Sequence, residues 1–172
     1  NSSSGTITYT VTPSTSFCTG ASQNFTITVN PAPDIASSSE TLCTGDTFSY
    51  MPVDVTDGVV PTGTTYTWTV SGDGVVTGGS ASTSASSTIG GQQGQQLVNQ
   101  TSSPATLTYT VTPTSADDCE GADFKVTITV NPTAQVNDLA DQIICNTETT
   151  SVAFTTNNTG GTTTYAWTND TE

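Results

Sequence analysis

The feature that most constrains this chain is a long internal repeat. The string TYTVTP occurs at residues 8–13 and again at 108–113, and each copy is followed by a cysteine and then by TITVNP. The copies are offset by 100 or 101 residues. That spacing is the length of a self-sufficient domain and exceeds that of a solenoid unit. The repeat therefore predicts domains of about 100 residues joined in tandem.

The repeated strings also set the predicted domain boundaries. Residues 1–30 correspond to the last strands of one domain, residues 31–131 to a complete domain, and residues 132–172 to the first strands of a third. VNPAPDI (29–35) and VNPTAQV (130–136) are the predicted linkers, because proline fixes φ and cannot donate to a continuing strand ladder. Short proline linkers predict domains that point along a common axis, as in a stalk.

Strand chemistry dominates the composition. Threonine accounts for 40 of the 172 residues and alternates with valine, isoleucine and aromatic residues in short runs, which suits a pleated, half-buried surface. The strands predicted in the complete domain lie near 33–37, 47–53, 64–70, 75–77, 95–100, 105–112 and 124–130. Seven short antiparallel strands in about 100 residues predict an all-β fold of tandem immunoglobulin-like β-sandwich domains, with almost no helix.

Three aromatic residues are the predicted structural core. Trp68 falls on the third predicted strand and Tyr109 on the sixth, where such sandwiches place a core tryptophan and a core tyrosine. Trp167 is the counterpart of Trp68 in the third unit. A sugar-stacking role is the alternative for the tryptophans, but the alternation of each strand points both rings inward.

Charge excludes several classes of function. The chain has one basic residue, Lys125, against fifteen acids, and no histidine. A nucleic-acid partner is excluded because binding a phosphate backbone needs clustered positive charge. The usual general bases are also missing, so we predict no catalytic residues and no enzyme activity.

The four cysteines recur in similar contexts, FCTG, LCTG, DCEG and ICNT. An even count without histidine or CxxC pairs favours disulfides over zinc, and therefore an oxidising, extracellular compartment. We predict a bridge between Cys43 and Cys119 inside the complete domain, with Cys18 and Cys145 bonded to residues in the missing halves of the two incomplete units, outside this chain. A bridge between Cys18 and Cys43 across the joint is the alternative.

Acidic residues cluster in two predicted loops at one end of the sandwich. They are Asp54 and Asp57 in one loop, and Asp117, Asp118, Glu120 and Asp123 in the other. Together they could hold calcium, which takes six to eight oxygen ligands. The first copy of the second loop carries serine and threonine instead, so solvated loop carboxylates are the alternative. No other cofactor is predicted.

The segment 71–96 is rich in serine, glycine and glutamine. Its composition is typical of a mobile loop or of a poorly patterned pair of strands. An adhesive tip surface is the functional alternative for this segment.

The strings CTGDTFSY, PTGTTYTWTV, LTYTVTPTS and VTITVNP resemble the tandem PKD-like or immunoglobulin-like repeats of giant surface proteins from Bacteroidota. Over its whole length the chain is similar to the large repetitive gliding-motility adhesins of flavobacteria. The motif WDFGDG, typical of PKD domains, is absent, which favours an immunoglobulin-like label over a PKD-type one. The resemblance implies type IX secretion and filaments that extend from the outer membrane. No ligand-binding residue carries over.

The predicted function is therefore a repetitive extracellular stalk or adhesin segment that mediates surface attachment and, by resemblance, gliding. Its predicted partners are neighbouring repeats of the same chain and a surface ligand such as a polysaccharide. A carbohydrate-binding or accessory module of a secreted enzyme is one alternative. A self-assembling surface filament subunit is the other.

Overall fold

A computed structural model describes residues 1–72, 74–90 and 96–170, and these ranges contain thirteen strands and no helix. The strands are β1 (Gly5–Val11), β2 (Gln23–Val29), β3 (Asp34–Ile35), β4 (Ser38–Cys43), β5 (Ser49–Tyr50), β6 (Gly58–Val59), β7 (Thr65–Gly72), β8 (Val76–Thr77), β9 (Ser82–Ser86), β10 (Ile89–Gly90), β11 (Val98–Asn99), β12 (Ala105–Thr114) and β13 (Phe124–Asn131). The all-β prediction is confirmed. No helix long and apolar enough to cross a membrane occurs in the described ranges.

One five-stranded sheet, in the order β4-β13-β12-β7-β9, forms the larger layer of the complete domain. Its central strands alternate between buried and more accessible residues, as period-two geometry requires. Trp68 is 3% exposed and Tyr109 is 0% exposed, so both predicted aromatic residues of this domain lie in the core. The indole N–H of Trp68 donates to the carbonyl of Ser80 at 2.9 Å.

Short ladders cover the inner face of this sheet. They are β3 with β6, β5 with β10, and β8 with β11. The ring of Phe48, just before β5, packs on that of Tyr109 with centroids 4.9 Å apart. Ile89 and Leu97 are also fully buried. The apolar core therefore lies between one long sheet and a layer of short strand pairs.

Strand β4 was missed by the sequence prediction, and so was its direction. Its sequence, SSETLC, shows no apolar alternation, and its burial pattern is mostly exposed. It forms because β13 offers a free edge, along which β4 pairs in parallel from Ser38↔Val126 to Cys43↔Asn131. The expectation of a purely antiparallel domain is therefore wrong.

The low-complexity segment contributes strands rather than only a loop. β9 pairs with β7, and β10 pairs with β5. Within the described part of the segment, the alternative of poorly patterned strands is the better one. Asp73 and residues 91–95, which include the first position of the predicted strand 95–100, lie outside the described residues.

The first hairpin reproduces the last hairpin of the complete domain. β1 and β2 pair with Tyr9↔Phe25, and β12 and β13 pair with Tyr109↔Val126, which is the same register after the repeat offsets. Burial differs, because Tyr9 is 48% exposed. The local pairing is thus a property of the repeated sequence, whereas burial requires a covering layer.

Residues 132–170 form turns and extended segments without a named strand. Trp167 is 74% exposed and contacts Phe154, with ring centroids 5.7 Å apart. Trp167 is therefore not buried in this chain, and its core role in a complete unit stays a prediction. The ring is exposed because no sheet layer covers it among residues 132–170.

The hydroxyl of Tyr109 is buried and has no hydrogen-bond partner among the described residues. Since a buried unsatisfied hydroxyl carries a desolvation cost, we expect Tyr109→Phe to leave the free energy of unfolding unchanged or raise it by about 1 kcal/mol. Tyr109→Ala removes the ring as well and should cost about 3 to 5 kcal/mol. Urea unfolding at pH 7 measures both changes. The same substitutions at the exposed counterpart Tyr9 are the matched controls and should have much smaller effects.

Burial raises the pKa of Tyr66 and of Tyr109 to about 12. A tyrosine in the unfolded chain titrates near pH 10. Folding therefore favours the neutral phenol, so this contribution to stability is complete below pH 10 and is lost as the pH rises from 10 to 12. The urea concentration at the midpoint of unfolding, measured from pH 8 to 12, should decrease between pH 10 and pH 12. In the double variant Tyr66→Phe with Tyr109→Phe this midpoint should decrease less, and an equal decrease would contradict the assignment.

Candidate functional site

Two of the cysteines lie in copies of one hairpin loop. In the complete domain, the backbone N–H of Ser115 donates to the carbonyl of Cys119 at 3.0 Å. In the first hairpin, the N–H of Thr15 donates to the carbonyl of Cys18 at 2.8 Å. The loop is therefore rebuilt with the same hydrogen bond, despite its different acidic content.

The other two cysteines precede copies of one turn. The N–H of Cys43 donates to a carboxylate oxygen of Asp46 at 3.0 Å, and the N–H of Cys145 donates to one of Glu148 at 2.8 Å. The third unit thus repeats this turn even though it contains no named strand.

The two cysteines of the complete domain lie at opposite ends of it. Cys43 pairs with Asn131, where the chain leaves the domain. The sulfur of Cys119 lies 4.0 Å from the carbonyl oxygen of Asn30, where the chain enters. The length of β13 separates the two ends, which is about 23 Å for its eight residues.

This separation overturns the predicted bridge between Cys43 and Cys119, because a disulfide needs Cα atoms within about 7 Å. All four cysteines are free thiols in the structure. The alternative bridge from Cys18 to Cys43 also fails, since Cys18 lies at the tip of the first hairpin, away from the linker that follows Val29. The sequence prediction erred by treating each domain as closed on itself.

The joints between units share a contact that the sequence analysis missed. At the first joint, the hydroxyl of Ser2 donates to the Asp54 carboxylate at 2.7 Å. At the second joint, the hydroxyls of Ser103 and Thr159 lie 2.6 Å apart, and the Thr159 N–H donates to the carbonyl of Ser102 at 2.8 Å. In both cases, the serine-containing loop before a terminal hairpin contacts the next unit. The repeated serine pair was the only signal for this contact in the sequence.

The first acidic loop uses its carboxylates to hold its own backbone. Asp54 accepts hydrogen bonds from the N–H of Val60 at 2.9 Å and from Ser2. These bonds hold the pKa of Asp54 below its usual value, the Val60 bond having the largest effect. Asp57 accepts from the N–H of Val53 at 2.7 Å. The two side chains therefore cap a turn at the joint.

The second acidic loop is also held by local hydrogen bonds, but its backbone bonds to a hydroxyl group instead of to a carboxylate. The N–H of Asp117 bonds the hydroxyl of Ser115, and Asp123 accepts from the hydroxyl of Thr112 at 2.7 Å. Asp118 has a positive φ of 58°, and Glu120 bridges to β12. Across residues 1–72, 74–90 and 96–170, no three carboxylate or cysteine side chains come together to hold a metal ion. The carboxylates that suggested calcium do not fit a calcium site.

Among the described residues of the complete domain, no exposed aromatic ring is available for a sugar to stack on. The described aromatic side chains of this domain are all at least partly buried, and Trp68 is engaged on its indole N–H. The outer face of the main sheet has a shallow groove of about 260 Å³. Six hydroxyl-bearing residues line this groove together with Asp123 and Trp68, and Trp68 is only 3% exposed. The groove therefore offers mainly hydroxyl groups to a ligand.

Because the carboxylates are not grouped, we expect calcium to leave the stability of this chain unchanged. Calcium sites in extracellular modules have dissociation constants of about 0.1 to 1 mM. At ten times the dissociation constant, such a site would add about 1.4 kcal/mol to the free energy of unfolding. Thermal unfolding in calcium, in magnesium and in chelator should give one melting temperature. A rise with calcium alone would contradict the prediction.

Comparison with known proteins identifies the type of domain. A search of curated proteins found no match. A family profile described as a PKD-like domain matches residues 40–134, which is 95 of the 172 residues. This match confirms the immunoglobulin-like β-sandwich fold, and it corrects the preference for an immunoglobulin-like over a PKD-type label. The chain belongs to the PKD-like domain family.

Proposed function

We propose that this chain is part of an extracellular stalk, built from tandem PKD-like domains, that carries an adhesive surface away from the cell. One observation carries the proposal. The chain enters the complete domain beside Cys119 and leaves it beside Cys43, at the opposite end, and at both joints a serine-containing loop contacts the next unit. Domains connected in this way extend end to end rather than folding back on one another.

The terminal strands of the domain suit a load-bearing role. β4 lies near the entry point, β13 ends at the exit, and the two run parallel over six residue pairs. Tension pulls β4 toward the entrance and β13 toward the exit, so the strands must slide past each other. Sliding loads all of the inter-strand hydrogen bonds together, whereas peeling breaks them one at a time. The domain therefore resists force applied along the stalk.

The hydrogen bonds of this ladder can be assigned from alternation along β4. The N–H of Thr44 donates to the carbonyl of Asn131 at 2.9 Å. Because successive N–H groups of a strand point to opposite sides, those of Glu40 and Leu42 also face β13. The N–H of Thr41 faces the free edge of the sheet, as does that of Cys43, which bonds Asp46.

Surface chemistry supports the same role. Lys125 is the single basic residue, and it lies in β13 between two paired strands. A trypsin-like protease would have to open this ladder to reach its one cleavage point. Threonine is the commonest polar residue, at 40 of the 172 positions, so hydroxyl groups contribute much of the polarity without clustered positive charge.

The finer function follows the family resemblance. We propose that the stalk is secreted, anchored at the outer membrane, and engaged in attachment or gliding, with a polysaccharide surface as its ligand. Neighbouring repeats are its partners within the chain, and its role is mechanical rather than catalytic. The carbohydrate-binding alternative has less support, because no exposed ring was found in the described part of the complete domain. Filament assembly has no specific observation in its favour.

Force spectroscopy on the 172-residue chain, held at its two ends, tests the mechanical role. Glu40→Pro removes an N–H that faces β13, and we expect it to lower the unfolding force of the complete domain markedly. Thr41→Pro is the matched control, because its N–H faces the free edge, and it should leave the force nearly unchanged. Equal forces for the two variants would show that the β4–β13 ladder does not carry the load.

A further inference from the structure

The two cysteines of the complete domain lie at its opposite ends. The repeat indicates which part of the chain lies beside each of them at a joint. Asn30 and Asn131 are counterparts at an offset of 101 residues; Asn30 directly follows β2, and Asn131 is the last residue of β13. At the first joint, the sulfur of Cys119 lies 4.0 Å from the Asn30 carbonyl oxygen. The hairpin-loop thiol of a domain therefore touches the last peptide group of the domain before it.

The other cysteine of the domain, Cys43, lies beside the equivalent peptide group at the other end of the domain. At the second joint, Cys43 is the register partner of Asn131, and the N–H of the next residue, Thr44, donates to the Asn131 carbonyl at 2.9 Å. The turn thiol of a domain therefore flanks the last peptide group of its own domain. In a tandem array, both kinds of cysteine would therefore lie beside the same peptide group at each joint.

Three further features indicate that successive joints are alike. The hairpin loops of Cys18 and Cys119 share one hydrogen bond, the turns of Cys43 and Cys145 share another, and the serine loops contact the next unit at both joints. Cys43 is exposed and Cys119 is partly exposed, so both are accessible to a redox partner.

We propose that Cys43 forms a disulfide across the joint with the counterpart of Cys119 in the following domain. This inference rests on the proposed tandem stalk. By the same rule, Cys119 bonds the counterpart of Cys43 in the preceding domain. Cys18 bonds the domain that precedes its own unit, and Cys145 bonds the domain that follows its own unit. Each of the four partners would lie outside these 172 residues. The stalk would then be stapled at every joint instead of inside its domains.

The chemistry is thiol–disulfide exchange with a disulfide-containing oxidant such as oxidised glutathione. The thiolate of one cysteine attacks the oxidant, forms a mixed disulfide and releases one thiol. The second cysteine then attacks the mixed disulfide, which forms the S–S bond between domains and releases the second thiol. Two protons and two electrons leave the protein, and the oxidant is reduced to two thiols.

A fusion of two copies recreates one joint of this kind. Residues 1–131 are followed directly by residues 31–172, so that Asn131 precedes the second Pro31 and the protein contains six cysteines. After equilibration in a glutathione redox buffer, free thiols are alkylated and the protein is digested with pepsin for mass spectrometry. We expect one linkage, between Cys43 of the first copy and Cys119 of the second, with the other four cysteines alkylated.

Matched variants make the result specific. Cys119→Ser in the second copy should abolish the linkage, whereas Cys119→Ser in the first copy should leave it intact. Six free thiols in the folded fusion, a bridge within one copy, or a bridge from Cys18 would overturn the proposal. Resistance to trypsin at Lys125 reports that each copy is folded. If this fusion does not fold, a second fusion of residues 1–136 to residues 36–172 keeps the natural linker and gives the same test.

Small-angle scattering on the reduced fusion separates this inference from the proposed stalk. An elongated particle without the linkage would leave the stalk intact and overturn the disulfide. A compact, side-by-side particle would overturn the stalk itself, together with the disulfide that depends on it.

Discussion

The ladder between β12 and β13 is the interaction on which the rest of the domain depends. Its register places Tyr109 opposite Val126 on the inner face, with fully buried neighbours at Val111 and Ile128. β7 attaches to one side of this pair and β4 to the other. Without this pair of strands, the long sheet would not form, and neither would the inner face that Phe48 covers.

The same ladder is important both for folding and for the proposed resistance to force. β13 is central in the sheet, yet its last residue, Asn131, is also the exit to the next unit. In the proposed stalk, the strand that anchors the core would therefore receive the tension directly, and β4 would transmit it through parallel hydrogen bonds. The proposed disulfide would begin at Cys43, the last residue of β4, so load path and covalent joint would share one end of the domain. This geometry explains how a small, weakly charged domain could serve in a long array.

Much of the fold could be predicted because the relevant signals are local. Trp68 and Tyr109 lie in the core, as their positions on the predicted strands indicated. The sequence predictions failed for strands that form only because they pair with another strand. β4 has no apolar pattern, and β9 and β10 lie in a segment read mainly by its low complexity. Short strands of that kind are stabilised by neighbours distant in sequence, which composition does not reveal.

The candidate sites show the same division. Their residue types drew attention to the cysteines and to the acidic loops, but chemistry depends on which groups meet in space. Asp54 and Asp57 bond backbone groups of their own turn, and the two cysteines of one domain lie at its opposite ends. The joint serines carried no recognisable motif, so only their contacts with the next unit revealed them.

The sequence by itself determined the repeat length, the linkers and the inward faces of the signature strands. These follow from periodicity and from the backbone limits of proline, which act within a few residues. Only the tertiary structure decided the partner of β4, the burial of the repeated hairpin and the ends of the domain at which the thiols lie. Those properties depend on contacts such as that between Ser37 and Lys125, 88 positions apart, and on whether a second layer covers a strand pair. Tyr9 and Tyr109 have the same local sequence and register, yet only Tyr109 is buried.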